Sequence, residues 1–155
     1  MTVPALPPIG ELVPHGPPMC LLDRVLAYAT DTLDAEVAIA PASMFCTGGQ
    51  VGAWVGIEYM AQAVAAFAGM QARARGEAVR VGLLLGTRRY TCSVAASPVG
   101  TVLRVRAHRV LQGENGLGAF ECRIEDAAAG TLLAEASITV FQPENVEEFM
   151  QRSQT

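Results

Sequence analysis

The sequence predicts an α+β protein in which a curved antiparallel sheet wraps around one long central helix. Three observations carry that reading. One stretch, about Gly52 to Arg75, is apolar nearly all round over its first five turns, as in a helix buried on most sides. The segments on either side alternate apolar and polar residues with period two, the mark of half-buried strands. Residues with a hydrophobic side chain make up 51% of the 155-residue chain and charged ones only 17%, enough for one real core and too little charge for general disorder.

The elements follow in order. The first 18 residues hold Pro4, Pro7, Pro8, Pro14, Pro17 and Pro18; proline lacks the backbone donor, so residues 1–18 are expected to form an extended arm. Leu21 to Ala40 reads as a strand pair turning at Thr30-Asp31-Thr32, with Ala35, Val37 and Ile39 alternating against Asp34 and Glu36. Gly48-Gly49 breaks the chain, and the helix follows. At ~1.5 Å per residue it is roughly 35 Å long. Gly76 is placed as its stop, with Arg73 and Arg75 in the last turn complementing the helix dipole.

Val81 to Val94 is one long strand or two. Thr101 to Gln112 sets Leu103, Val105 and Ala107 against Arg104, Arg106 and His108. Gly113-Glu114-Asn115-Gly116 is a hairpin turn, because Asn-Gly accepts positive φ. Leu117 to Glu125 and Thr131 to Phe141 complete a meander, and residues 142–155 form a polar peripheral tail. No repeat or second domain is evident, so residues 1–155 read as a single domain. A greasy sheet face must be covered, and the long helix covers it most economically in the hot-dog architecture. A flat sheet with the helix on one side accounts less well for a helix apolar all round.

Composition narrows the function. A net charge of −4 offers no footprint for nucleic acid. Cys20, Cys46, Cys92 and Cys122 form no C-x-x-C pair and have no histidine cluster beside them, so no metal site or other cofactor is expected. No secretory leader is expected, since no basic segment followed by an apolar one is read near residue 1, and free thiols lead one to expect the cytoplasm. The longest apolar run, Val51 to Met70, is interrupted by Glu58 and Gln62 and makes a poor membrane span.

Glu58 is the most informative residue, the only charge between Val51 and Met70. Gln62 lies four residues after it and Trp54 four before, all on one helix face. One reading is a carboxyl suited to general acid or base work; the other is a carboxylate hydrogen-bonded to strand backbone or across a dimer interface. His15, stiffened by flanking prolines, is either a base or pocket-mouth residue, or a brace for the first strand. Gly48, Gly49 and Gly52 precede the helix, whose first turn has unpaired N–H groups able to hold a carbonyl or oxyanion; glycine serves plain turn chemistry equally well. Arg88, in Arg88-Arg89-Tyr90, is a candidate for gripping the phosphate of a pantetheine arm, or else a solvated charge. Strand alternation allows at most one of Arg88 and Arg89 to face a given site.

Two blocks carry a resemblance. Pro14-His15-x-x-Pro18-Met19-x-Leu21-Leu22-Asp23-Arg24-Val25 resembles the opening of the 3-hydroxyacyl-acyl carrier protein dehydratases. Gly56-Ile57-Glu58-Tyr59-Met60-Ala61-Gln62-Ala63 resembles the start of their central helix. With Leu84-Leu85-Gly86-Thr87-Arg88-Arg89-Tyr90, the chain looks most like the divergent subgroup associated with aryl polyene biosynthesis. The resemblance runs from about His15 to Phe141. It implies a hot-dog homodimer or heterodimer with active sites between subunits, acting on an acyl thioester, with an acyl carrier protein as partner. It implies that Glu58 protonates or holds the departing hydroxyl, and that the Ala53 N–H polarises the thioester carbonyl.

The family's base does not carry over. Its Gly-His-Phe-x-Gly string is replaced here by Ser43-Met44-Phe45-Cys46-Thr47-Gly48-Gly49. His15 matches a different family histidine, the one in the opening block. The catalytic candidates are therefore Glu58 and His15, and the substrate-binding candidates Gly52, Ala53, Trp54, Gln62 and Arg88. Three activities stay open: a dehydratase using His15 as base or Glu58 alone, a partner subunit contributing Glu58 or only structure to a heterodimer, and a hot-dog acyl thioesterase whose helix carboxylate activates water.

Overall fold

A computed structural model of the protein describes residues 6–13, 19–77, 83–113 and 115–142. Six strands form one antiparallel sheet: β1 (Arg24–Tyr28), β2 (Thr32–Ala38), β5 (Leu83–Cys92), β7 (Val102–Gln112), β8 (Leu117–Asp126) and β9 (Leu132–Phe141), in the order β1-β2-β7-β8-β9-β5. Period-two alternation sorts their side chains. Leu33, Ala35 and Val37 of β2, Leu103, Val105 and Ala107 of β7, Phe120, Cys122 and Ile124 of β8, and Ala134, Ala136 and Ile138 of β9 are all buried. Their neighbours Arg104, Arg106, His108, Glu121, Arg123 and Glu135 are exposed. The sheet thus has one apolar face and one charged face.

Helix α1 (Gly56–Ala74) lies against the apolar face, and a 3-10 turn, Ala53–Val55, leads into it. The expected start at Gly52 is thus close: Gly52 caps the 3-10 turn in extended conformation. Tyr59, Met60, Ala63, Val64, Ala66 and Phe67 are buried against the strands. Gly76, at φ +68°, ends the helix as expected. The Gly76 N–H donates to Arg73 O at 3.1 Å and the Glu77 N–H to Ala72 O at 2.8 Å, the bond pair of a Schellman cap.

Three features depart from the sequence reading. The arm is not extended throughout: Ile9–Glu11 is a 3-10 turn, with Pro8 at its cap. Ile9 to Val13 contains no proline, and a proline just before a helical turn is pre-set for it. The arm buries Leu12 and Val13, and a β-carbon at Gly69 of α1 would strike the Leu12 carbonyl, so glycine there admits the arm's backbone. A second sheet joins β3 (Cys46–Thr47) and β4 (Gln50–Gly52), just before the helix, to β6 (Ala96–Pro98), after β5; two- and three-residue strands have no readable period. The third departure is a break of register in β5 between Arg88 and Thr91, with Arg89 at φ +55°.

The expected turns are present where they are described. Gly116 has φ +88°, and the Leu117 N–H donates to Asn115 Oδ1 at 3.2 Å. Tail residues 143–155 and arm residues 1–5 and 14–18 lie outside the described residues. Among those described, no helix is long and apolar enough to cross a membrane.

Candidate active site

Glu58 sits in the first turn of α1, half-buried. Gln62, one turn on, is 0% exposed and the only polar side chain in the described core. A buried amide must find partners, and this one uses both ends. Its Nε2 donates to Glu58 Oε1 at 3.1 Å and to Met19 O at 2.7 Å. Its Oε1 accepts the Leu21 N–H at 2.7 Å. Gln62 therefore ties the segment before β1 to the helix and fixes one carboxylate oxygen of Glu58. The polar seam expected from the spacing is formed, with Gln62 turned to the protein rather than to an open cleft.

Trp54 lies in the entry turn and is 65% exposed. Its ring meets Phe45 edge-on, centroids 5.3 Å apart, and Phe45 is 41% exposed. Phe45 occupies φ +69°, a backbone state that costs a bulky side chain about 1–2 kcal/mol. A β-carbon at Gly52 would lie 2.5 Å from Trp54 Nε1, so Gly52 is the notch that seats the indole. Met44 and Phe45 stand in the stretch where the resemblance leads one to look for a histidine.

The Ala53 N–H donates to Ala95 O at 2.9 Å, so it is engaged inside the protein. In a 3-10 turn beginning at Ala53, Val55 and Gly56 are the first N–H groups with a carbonyl one turn back. Trp54 has none, and among the described residues its N–H is the donor this turn leaves over. The Ala53 carbonyl accepts the Tyr90 hydroxyl from β5. Burial, with Cys92 adding to it, raises the Tyr90 phenol above its ordinary value. Tyr59, 3% exposed, is pushed up to about 12 by burial, with Asp23 and Cys46 contributing. Both phenols lie beside a cavity of about 20 Å³ between the helix entry and the strands, room for about one water.

The remaining candidates fall elsewhere. His15 lies outside the described residues. Arg88 pairs in register with Ser137, whose hydroxyl donates to Glu121 at 3.0 Å on the charged face. Register partners share a face, so Arg88 projects away from α1. Arg89 lines a concavity of about 570 Å³ on that face with Arg106, His108 and Glu121. The strand break thus sets both arginines on the solvent side. His108 is there too, with the sheet between it and Glu58. Tyr90 was given no role from sequence. Its signal was faint: an aromatic residue after two arginines, where the break in register overrides simple alternation. Among the described residues no group of three or more His, Cys, Asp or Glu is placed to hold a metal ion.

The family model of the ApeP-like dehydratases, described as ApeP dehydratase, matches residues 7–151. The chain belongs to the ApeP-like dehydratase family. The family reading taken from the two sequence blocks is borne out. This ApeP-like chain is similar to a chain of the dehydratase heterocomplex ApeI:P from Xenorhabdus doucetiae, with 30% identity, TM-score 0.89, and coverage of 97% of this chain and 100% of that one. Hot-dog proteins at lower identity share its fold. A hypothetical thioesterase from Streptococcus pneumoniae TIGR4, solved with coenzyme A, has 14% identity and TM-score 0.60, covering 77% of this chain and 84% of that one. Zebra fish thioesterase superfamily member 2 has 16% identity and TM-score 0.62, covering 86% and 89%. At these identities the likeness is one of fold alone. No curated protein matches the ApeP-like chain.

Proposed function

We propose that this dehydratase removes water from a 3-hydroxyacyl thioester presented by an acyl carrier protein, in aryl polyene-type chain building, with Glu58 as the acid. A base takes the proton from the carbon next to the carbonyl. The enolate oxygen is held by a backbone N–H at the helix entry, and the carboxyl of Glu58 gives its proton to the departing hydroxyl. The product is the 2-enoyl thioester and one water. The observation that carries this reading is the Glu58–Gln62 pair: the single charge of the buried helix stretch is gripped by a fully buried amide that also anchors the chain before β1. Within this chain His15 is the candidate base, since His108 faces the other side of the sheet.

A second feature supports work as part of a hot-dog pair. Trp54 and Phe45 are exposed aromatics of the kind that anchor interfaces, and Ala61, Ala65 and Ala68 continue from Glu58 as a half-buried stripe along α1. The ApeI:P neighbour is itself a heterocomplex. In this reading the second hot-dog chain covers the stripe and supplies what the site lacks, the base included if His15 does not serve.

The test is dehydration of a 3-hydroxyacyl thioester by the chain alone and mixed with a second hot-dog dehydratase subunit, with Glu58→Gln in parallel. We expect Glu58→Gln to lower turnover by about 10²–10⁴-fold, the usual share of a general acid, with the fold intact. Full turnover in that variant removes Glu58 from the chemistry. Release of free thiol without a new double bond would instead mark a thioesterase.

A further inference from the structure

Three facts converge on one peptide unit at the helix entry. The Ala53 N–H is tied to Ala95 O at 2.9 Å. The Ala53 carbonyl accepts both the Gly56 N–H of the turn and the Tyr90 hydroxyl from the sheet. Gly56 has no side chain where one would collide with that hydroxyl; its β-carbon would also come within 3.1 Å of Ile124 Cδ1. Gly56 is buried, and the tyrosine hydroxyl lies nearest to where a side chain would stand, with Ile124 beside it. The sequence therefore gives up a helix-favouring residue inside α1 to admit a phenol to the Ala53 carbonyl.

The consequence lies at the other end of the same peptide. A peptide bond is planar and trans, so the Ala53 C=O and the Trp54 N–H point in opposite directions from one rigid plate. Holding the carbonyl toward the sheet holds the N–H away from it. A donor on the carbonyl also withdraws electron density and strengthens the N–H as a donor, as happens along hydrogen-bonded chains. We propose that Tyr90 is a positioning residue for dehydration: by donating to the Ala53 carbonyl it orients and polarises the Trp54 N–H that holds the thioester's enolate oxygen. This rests on the dehydratase reading above. A phenol is protonated, hence a donor, through the neutral range, and burial of Tyr90 shifts its titration further upward.

The proposal separates Tyr90 from a packing residue. Tyr90→Phe keeps the ring and loses only the hydroxyl. In the full chain, with its partner subunit if turnover needs one, we expect kcat to fall about tenfold with KM little changed, below the 10²–10³-fold cost of deleting an oxyanion donor outright. The decisive readout is the carbonyl stretch of butyryl-pantetheine labelled with ¹³C at the carbonyl, a thioester that binds without a hydroxyl to lose. Bound to the native protein the stretch should move to lower frequency, and in Tyr90→Phe it should return part of the way to its free value. If Tyr90→Phe does not fold, Gly56→Ala displaces the hydroxyl with its new methyl and should give the same partial return. A low-frequency stretch and native kcat retained in the variant overturn the role of Tyr90 alone. A native protein that leaves the stretch of the bound thioester unmoved overturns both this role and the dehydration reading.

Discussion

From Phe67 to Gly76, α1 is built as a packing helix; from its entry turn to Gln62 it is not. In the later half Phe67 is 1% exposed, with its ring centroid 5.5 Å from both Tyr28 and Phe120. Gly69 admits the Leu12 backbone, Arg73 pairs with Glu11 at 3.1 Å, and a Schellman cap closes the end. The earlier half breaks local rules repeatedly. It leaves a tryptophan 65% exposed, keeps Phe45 at positive φ beside it, places a carboxylate among apolar residues, and buries an amide completely. Local inconsistencies of this kind gather where a protein keeps function at the expense of stability. The difference between the halves teaches where to look for chemistry before any ligand is known.

The largest effect should come from the packing half. Phe67→Ala removes the ring that joins β1 and β8 to the helix and leaves a cavity, at a cost of about 3–5 kcal/mol. That is a large part of the 5–15 kcal/mol typical of a domain, so the denaturation midpoint should fall sharply. Turnover per folded molecule should stay near native. A specific loss of turnover in the molecules that remain folded would break the comparison, because it would make the distant half part of the site.

Gln62→Leu tests the boundary between the halves. Leucine fills the space but makes none of the three bonds, so Met19 O, the Leu21 N–H and Glu58 each lose a partner. Groups left unsatisfied in this way cost about 1–3 kcal/mol. Here stability and chemistry should fall together: denaturant unfolding reads the first, and turnover at matched folded fraction reads the second, through a Glu58 that has lost its contact with Gln62. Turnover that follows folded fraction alone would move Gln62 into the packing half.

The sequence carried much of this and missed parts of it for definable reasons. The long helix, its stop at Gly76 and the five longer alternating or apolar strand runs were legible because each has many residues in one period. The Glu58–Gln62 contact was legible because it spans one turn. The other bonds of Gln62 were not: Met19 and Leu21 lie 43 and 41 residues away in sequence, and no local pattern reports such a pairing. The turn at Ile9–Glu11 was hidden by the prolines around it. One extra residue in β5 moved Arg88 and Arg89 to the same side of the sheet, against strict alternation, and removed Arg88 from the candidate site. That residue also leaves Tyr90 facing Ala53, a role alternation had not suggested.

The smallest effect should come from the end of the packing half. Gly76 holds φ +68°, and a β-carbon there would meet nothing within 4 Å. Space is therefore not the reason for glycine; backbone conformation is. Gly76→Ala places an L-residue in the left-handed region at a cost of about 1–2 kcal/mol, offset in part because alanine restricts the unfolded chain. The net change should be under about 1.5 kcal/mol by those same opposing terms, read as a small shift in denaturation midpoint. Turnover should not move at all, since the cap binds only the carbonyls of Ala72 and Arg73 and lies about five turns from the helix entry at 3.6 residues per turn. An altered turnover at unchanged folded fraction would mean that strain at the cap reaches Glu58 along the helix, and the two halves would then be one mechanical unit.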